Sequence, residues 1–173
     1  MDAGLAAIRN FNIPSLWLIF LGVMMNEWVF IFMSRGMSLF GKFINMWYTK
    51  FGLYAVLSDV ASIMIGMMIA SWLYNGSNFW AFMGTAVAVQ WVHDILFYLG
   101  IILPMPEGVN AVIDLLKPYS RQAGFLAVLG DSWMMIGGLL FAKALQTMPS
   151  SIQLFSLFFS VYMIPYAIFQ AKA

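Results

Sequence analysis

Cysteine is absent from this chain. That excludes disulfides, thiolate metal sites and cysteine nucleophiles, and leaves the redox compartment unspecified. Charge is nearly as scarce. Only 9% of the 173 residues are charged, against about 25% in ordinary soluble domains. So few charges cannot coat a water-facing surface, and the solvent must be largely lipid. A net charge of +1 gives no basic excess with which to hold nucleic acid. There is no HExxH, no histidine-rich box and no glycine-rich phosphate loop, so the familiar catalytic signatures are missing. The opening MDAGLAAIRNFN has no short apolar run followed by a small-residue cleavage site. No signal peptide is expected, and the first span serves as its own insertion signal. Low-complexity tracts, a soluble domain and a convincing internal repeat are likewise lacking.

What the chain has in abundance is apolar sequence, at 63% of its residues. Its length suits roughly five spans of about 20 residues with short links. The expected fold is an all-α polytopic membrane helix bundle forming one domain. The apolar runs place spans at 13–34, 52–74, 80–102, 124–146 and 152–170. Two further stretches, 38–51 and 107–118, have apolar residues at helical spacing but are too short to span. They read as amphipathic helices lying in the interface, with Phe40, Phe43 and Trp47 at headgroup level in the first. The alternative for the first is a longer opening span that bends at Gly36. Pro14 suits the first helical turn, Pro118 should break the second amphipathic helix, and Pro165 should kink or end the last span. Ser58, Ser62, Gly66 and Ala70 recur every four residues and read as a packing ridge; Gly130, Gly137 and Gly138 read as close-packing sites. Trp17, Trp72 and Trp80 fall where an aromatic belt would lie.

Numbering the two faces by the odd spans gives the orientation. One face carries Arg9 and Lys143. The other carries both amphipathic helices, the C-terminus, and Arg35, Lys42, Lys50, Lys117, Arg121 and Lys172. Six basic residues against two make the second face cytoplasmic, with the N-terminus outside or lumenal.

Four of the seven acids fall inside spans: Glu27, Asp59, Asp94 and Asp131. Each lies seven or eight residues from the cytoplasmic end of its span, which puts all four roughly 10–12 Å below that boundary. No lysine or arginine shares the depth, and unpaired carboxylates in hydrocarbon are very unfavourable. Three resolutions exist. The acids are protonated, they line a water-filled cavity, or they hold a cation. His93 is the proton-exchanging neighbour, and Asn26, Ser58, Gln90, Ser132 and Tyr162 could complete the polar layer. The plainer reading of His93 is a hydrogen-bonded interior side chain, and that of any single acid is a helix–helix tie. Four acids at one depth weigh against four separate ties. A divalent metal could sit at His93, Asp94 and Asp131, although carboxylates plus one imidazole select no particular ion.

The leading expectation is therefore a channel or transporter that handles a cation or proton through a carboxylate layer, with several copies assembling because five spans make a narrow pore. Its first rival is an intramembrane enzyme, with or without a metal, acting on a lipid-like substrate. Its second is a structural or assembly protein. The run VHDILFYLGIILPMPEGVNAVIDLLKPYSRQAG followed by GDSWMM resembles uncharacterised small polytopic membrane proteins of large DNA viruses of algae and protists. That resemblance implies a viral or virus-derived membrane and assigns no residue a role.

Overall fold

The computed structural model describes residues 13–37 and 41–169. Phe40, Arg9, Lys172 and the ends assigned to the first amphipathic helix and the last span lie outside the described residues. Seven helices are found among the described residues: α1 (Leu16–Gly36), α2 (Gly41–Phe51), α3 (Leu53–Leu73), α4 (Phe79–Phe97), α5 (Ala111–Ala123), α6 (Phe125–Leu145) and α7 (Ser150–Phe169). The last turn of α4 continues as a π-helix over Tyr98–Ile102, with Leu103 N donating to Tyr98 O at 2.8 Å. Five of these, counting α4 with its π turn, are long and apolar enough to cross a membrane. The two short helices α2 and α5 lie between them.

Helix ends follow local chemistry. Ser15 caps α1 by accepting from Leu18 N at 3.4 Å, so Pro14 precedes the cap instead of occupying the first turn. Asn78 caps α4 by accepting from Trp80 N and Ala81 N, and Asn110 caps α5 in the same manner. Gly41, Gly52, Gly108 and Gly124 have positive φ, and all four adjoin α2 or α5. These left-handed joints turn each short helix off the line of its neighbouring span. Gly36 therefore ends α1, and α2 is a separate element.

The expected break at Pro118 fails, and Pro165 does not end its helix. Helix α5 passes Pro118 and runs to Ala123, and α7 passes Pro165 and runs to Phe169. A proline removes one ladder hydrogen bond, and in α5 the Asn110 cap together with buried Ile113 and Leu115 holds the helix regardless.

Helix α1 is the hub, packing against α6, α7, α3 and α2, while α4 closes the bundle between α3 and α6. The α1–α6 seam is the tightest. A methyl on Gly22 would strike Gly138 O and stand 2.6 Å from Ala142 N, and a methyl on Gly138 would meet Val23 at 2.9 Å. Asn26 fills the seam beside Gly137 and donates to Met134 O at 3.5 Å. Gly137 and Gly138 thus serve packing, whereas nothing approaches Gly130. The outward surface is strongly apolar. Trp17, Trp72 and Trp80 are all exposed at the end away from α2 and α5, with Trp72 at 79%. Polar side chains such as Glu27, Asn26 and Gln90 are buried instead. Apolar outside and polar inside is the distribution a bilayer demands.

Candidate functional site: a carboxyl-lined cavity

A cavity of about 1160 Å³ lies among α1, α3, α4 and α6 beneath α2 and α5. Each spanning element brings one acid to its wall: Glu27 from α1, Asp59 from α3, Asp94 from α4 and Asp131 from α6. Each acid sits six to nine residues, about two turns, inside its helix from the α2/α5 end, counting the π turn with α4. That common depth, with the right face of each helix turned inward, brings the four together.

They form two pairs. In the first, Tyr48 of α2 reaches into the bundle, its ring 1% exposed. Its hydroxyl stands 3.0 Å from Glu27 Oε1 and 3.1 Å from Asp59 Oδ2. Trp47 Nε1 also donates to Asp59 Oδ2, at 3.0 Å. Burial pushes the Tyr48 phenol well above its ordinary pKa, and the neighbouring Glu27 and Asp59 charges push it further, so it remains a proton donor throughout the physiological range. One phenol has one proton to give. Both contacts are hydrogen bonds only when one carboxyl contributes a proton of its own.

The second pair is Asp94 and Asp131, whose carboxyl groups interact directly across α4 and α6. Gln90 Nε2 donates to Asp94 Oδ1 at 2.7 Å, and His93 Nδ1 lies 3.2 Å from the same oxygen. The His93 ring stacks on Phe97, with its side chain 48% exposed. It connects the pair with the outer surface. Tyr119 of α5 also lines the cavity, and burial together with the charges of Asp131, Asp59 and Asp94 raises its phenol above the usual range.

Several expectations need correction. Asn26 and Ser132 lie outside the cavity lining. Asn26 is taken up by the α1–α6 seam. Ser132 accepts from Trp91 Nε1 at 2.7 Å and donates to Val128 O at 2.7 Å, tying α4 to α6. Tyr162 is 63% exposed on α7, with its hydroxyl 3.0 Å from that of Tyr166; α7 packs chiefly on α1 and never reaches the cavity. Ser58 and Gln90 do line it. The four-residue ridge divides in two. Gly66 packs near Met135 and Ala70 is fully buried, while Ser58 and Ser62 face the cavity. Trp47 turns its indole N–H inward to Asp59. Among the described residues no three His, Asp or Glu side chains are grouped to hold a metal ion, so His93, Asp94 and Asp131 do not make the expected metal site. His93 stacks on Phe97 on the exposed side of its helix, and its imidazole does not converge with both carboxyls.

Sequence reasoning missed Tyr48 and Tyr119. Helical spacing could have found both: Tyr48 is four residues after Ile44, and Tyr119 four after Leu115, each on the buried face of its amphipathic helix.

On the far side the cavity ends at packed side chains. Met67, Phe82, Ala86, Met135 and Leu139 are at most 1% exposed. Towards α2 and α5 its wall is largely apolar and includes Ile95, Leu99, Leu126 and Leu129, which are also exposed on the apolar exterior.

Tyr48→Phe should lower thermal stability by roughly 1–3 kcal/mol, since it deprives two buried carboxyl groups of their common donor. Trp47→Phe should cost less, because Asp59 keeps the phenol. Melting of both variants in detergent checks the order.

No family model, curated protein or solved structure matches this chain.

Proposed function

We propose that this chain is an integral membrane protein that takes a lipid-like amphiphile into the cavity and exchanges protons with its head group, as an intramembrane enzyme working by general acid–base chemistry would. The observation that carries this reading is the position of the Asp94–Asp131 pair in a cavity with mostly apolar walls that stops at a packed layer. Its size suits an amphiphile, since small-molecule sites are commonly about 300–1,000 Å³. Two carboxyls in contact supply an acid and a base at one place. His93, partly exposed and beside Asp94, offers the proton a way out.

Cation or proton passage draws on the same acids. It needs a route beyond Met67, Phe82, Met135 and Leu139, which a single copy keeps closed; assembly of several copies would have to supply it. A structural role has its own support at one place. The Glu27–Tyr48–Asp59 contacts tie α1, α2 and α3 together, so we assign that pair to architecture and the Asp94–Asp131 pair to chemistry. The six-to-two basic count supports a reading in which α2, α5 and this cavity lie in the cytoplasmic half of the bilayer.

Native mass spectrometry of the protein extracted in mild detergent should retain one amphiphile per chain. Ala127→Trp, which fills the cavity wall, should displace it. Proteoliposomes should show no cation or proton flux above empty vesicles. Flux that Asp94→Asn abolishes would replace this reading with the transport one.

A further inference from the structure

We infer that the angle between the π turn and α5 holds the phosphate of an anionic glycerophospholipid. This site uses none of the four acids and is independent of the amphiphile reading.

A second, small cavity of about 30 Å³ lies there, open on one side. That is more room than one water needs, and the open side accommodates the rest of a phosphate. Tyr98, Ile102 and Leu103 form one wall; Lys117, Ser120 and Arg121 form the other. Spacings of three and four put the latter three on one face of α5. Leu103 O, at the end of the π turn, accepts from Lys117 Nζ at 3.3 Å. This fixes the ammonium over the helix end with two N–H bonds still to give. Arg121 Nη2 meets Glu107 Oε1 at 3.2 Å, but both side chains are mostly exposed, at 70% and 61%. Water screens such a pair, which holds weakly, and the guanidinium keeps its other N–H bonds free to turn.

Two cations four residues apart on one helix face repel each other. An anion between Lys117 and Arg121 replaces that repulsion with charge-assisted bonds. The other cations described at this end are directed elsewhere. Arg35 donates to Thr49 Oγ1, and Lys42 and Lys50 lie over the Phe43 and Phe51 rings. Position identifies the source of the phosphate. Helix α4 with its π turn is long enough to cross a bilayer, so its end falls at the level of the lipid head groups, where basic pockets between helices take anionic heads. Ile95, Leu99 and Leu103 follow at four-residue spacing, each more than half exposed. They give an acyl chain an apolar track that leads from the small cavity into the bilayer. Free phosphate would leave that track unused. A zwitterionic head would bring its own ammonium up to Lys117 and Arg121.

The test titrates the full chain in mild detergent with phosphatidic acid and with phosphatidylcholine of the same acyl chains, read by native mass spectrometry. Inorganic phosphate serves as a competitor. Phosphatidic acid should bind roughly ten-fold more tightly than phosphatidylcholine, the worth of a hydrogen bond to a charged group. Lys117→Gln with Arg121→Gln should remove that preference. Arg121→Gln alone, at an exposed position, should weaken it and suffices if the double variant does not fold. Lys42→Gln with Lys50→Gln takes two charges from the same end and should leave the preference intact. Equal loss in both double variants would assign the preference to diffuse surface charge and overturn the site. Equal binding of the two lipids by the unaltered chain would overturn it as well. Displacement of phosphatidic acid by an equal concentration of inorganic phosphate would overturn the lipid as its ligand.

Discussion

In the Asp94→Asn protein, affinity for the amphiphile of the proposed reading should fall roughly 10- to 150-fold, the loss expected when a hydrogen bond to a charged group, about 1.5–3 kcal/mol, is removed. The fold should survive. Asparagine has the same shape, can still accept from Gln90 Nε2 through its oxygen and can donate to Asp131 through its amide. What disappears is a negative charge and a proton-exchanging group next to His93. Binding isotherms and melting curves on one preparation separate the readings. A bound amphiphile predicts lost affinity with little change in melting. A purely structural acid predicts the reverse, a lowered melting temperature with nothing else altered.

Gly22→Ala should be the most damaging single-methyl addition in the molecule. The new methyl would run into Gly138 O and lie 2.6 Å from Ala142 N, both backbone atoms that cannot rotate aside. Helices in lipid associate largely through such close approach, and α1 is the element on which the others pack. The expected cost is at the upper end of the roughly 1–3 kcal/mol typical of overpacking. Gly84→Ala is the matched control, because nothing stands within 4 Å of its added methyl. There alanine should be neutral or gain up to about 1 kcal/mol of helix propensity. Equal melting temperatures for the two variants would refute the tight seam.

The contrast between these positions explains what the sequence could and could not disclose. Apolar runs mark spans because a bilayer tolerates little else, so the helices begin and end within about four residues of their expected positions, apart from α5, which runs on past Pro118. Counting residues from a span's end gives height, and height grouped Glu27, Asp59, Asp94 and Asp131. It gives no direction around the helix axis. Asn26, Ser132 and Tyr162 lie in the same spans as cavity residues or within reach of their depth, yet one faces a seam, one a neighbouring helix and one the exterior. Tyr48 could be placed on the buried face of α2 by its spacing from Ile44. What the helical pattern does not encode is that α2 folds back over the bundle and brings that face to the acids. Pro118 misled because a cap and a buried face outweigh one missing N–H.

The four left-handed glycines divide the molecule mechanically. A continuous helix transmits torque along its axis, but a glycine hinge without side-chain contacts does not, and no atom lies within 4 Å of an added methyl at Gly41, Gly52, Gly108 or Gly124. Helices α2 and α5 are thus a roof on swivels, set over walls whose seam is locked by backbone contact. Roof and walls have separate opening free energies, and that of the roof is the smaller, because it rests on a few side chains such as Tyr48, Ile113 and Leu115. Under the amphiphile reading, a bulky chain would enter or leave by displacing the roof alone, with the walls and the acids in them holding their places.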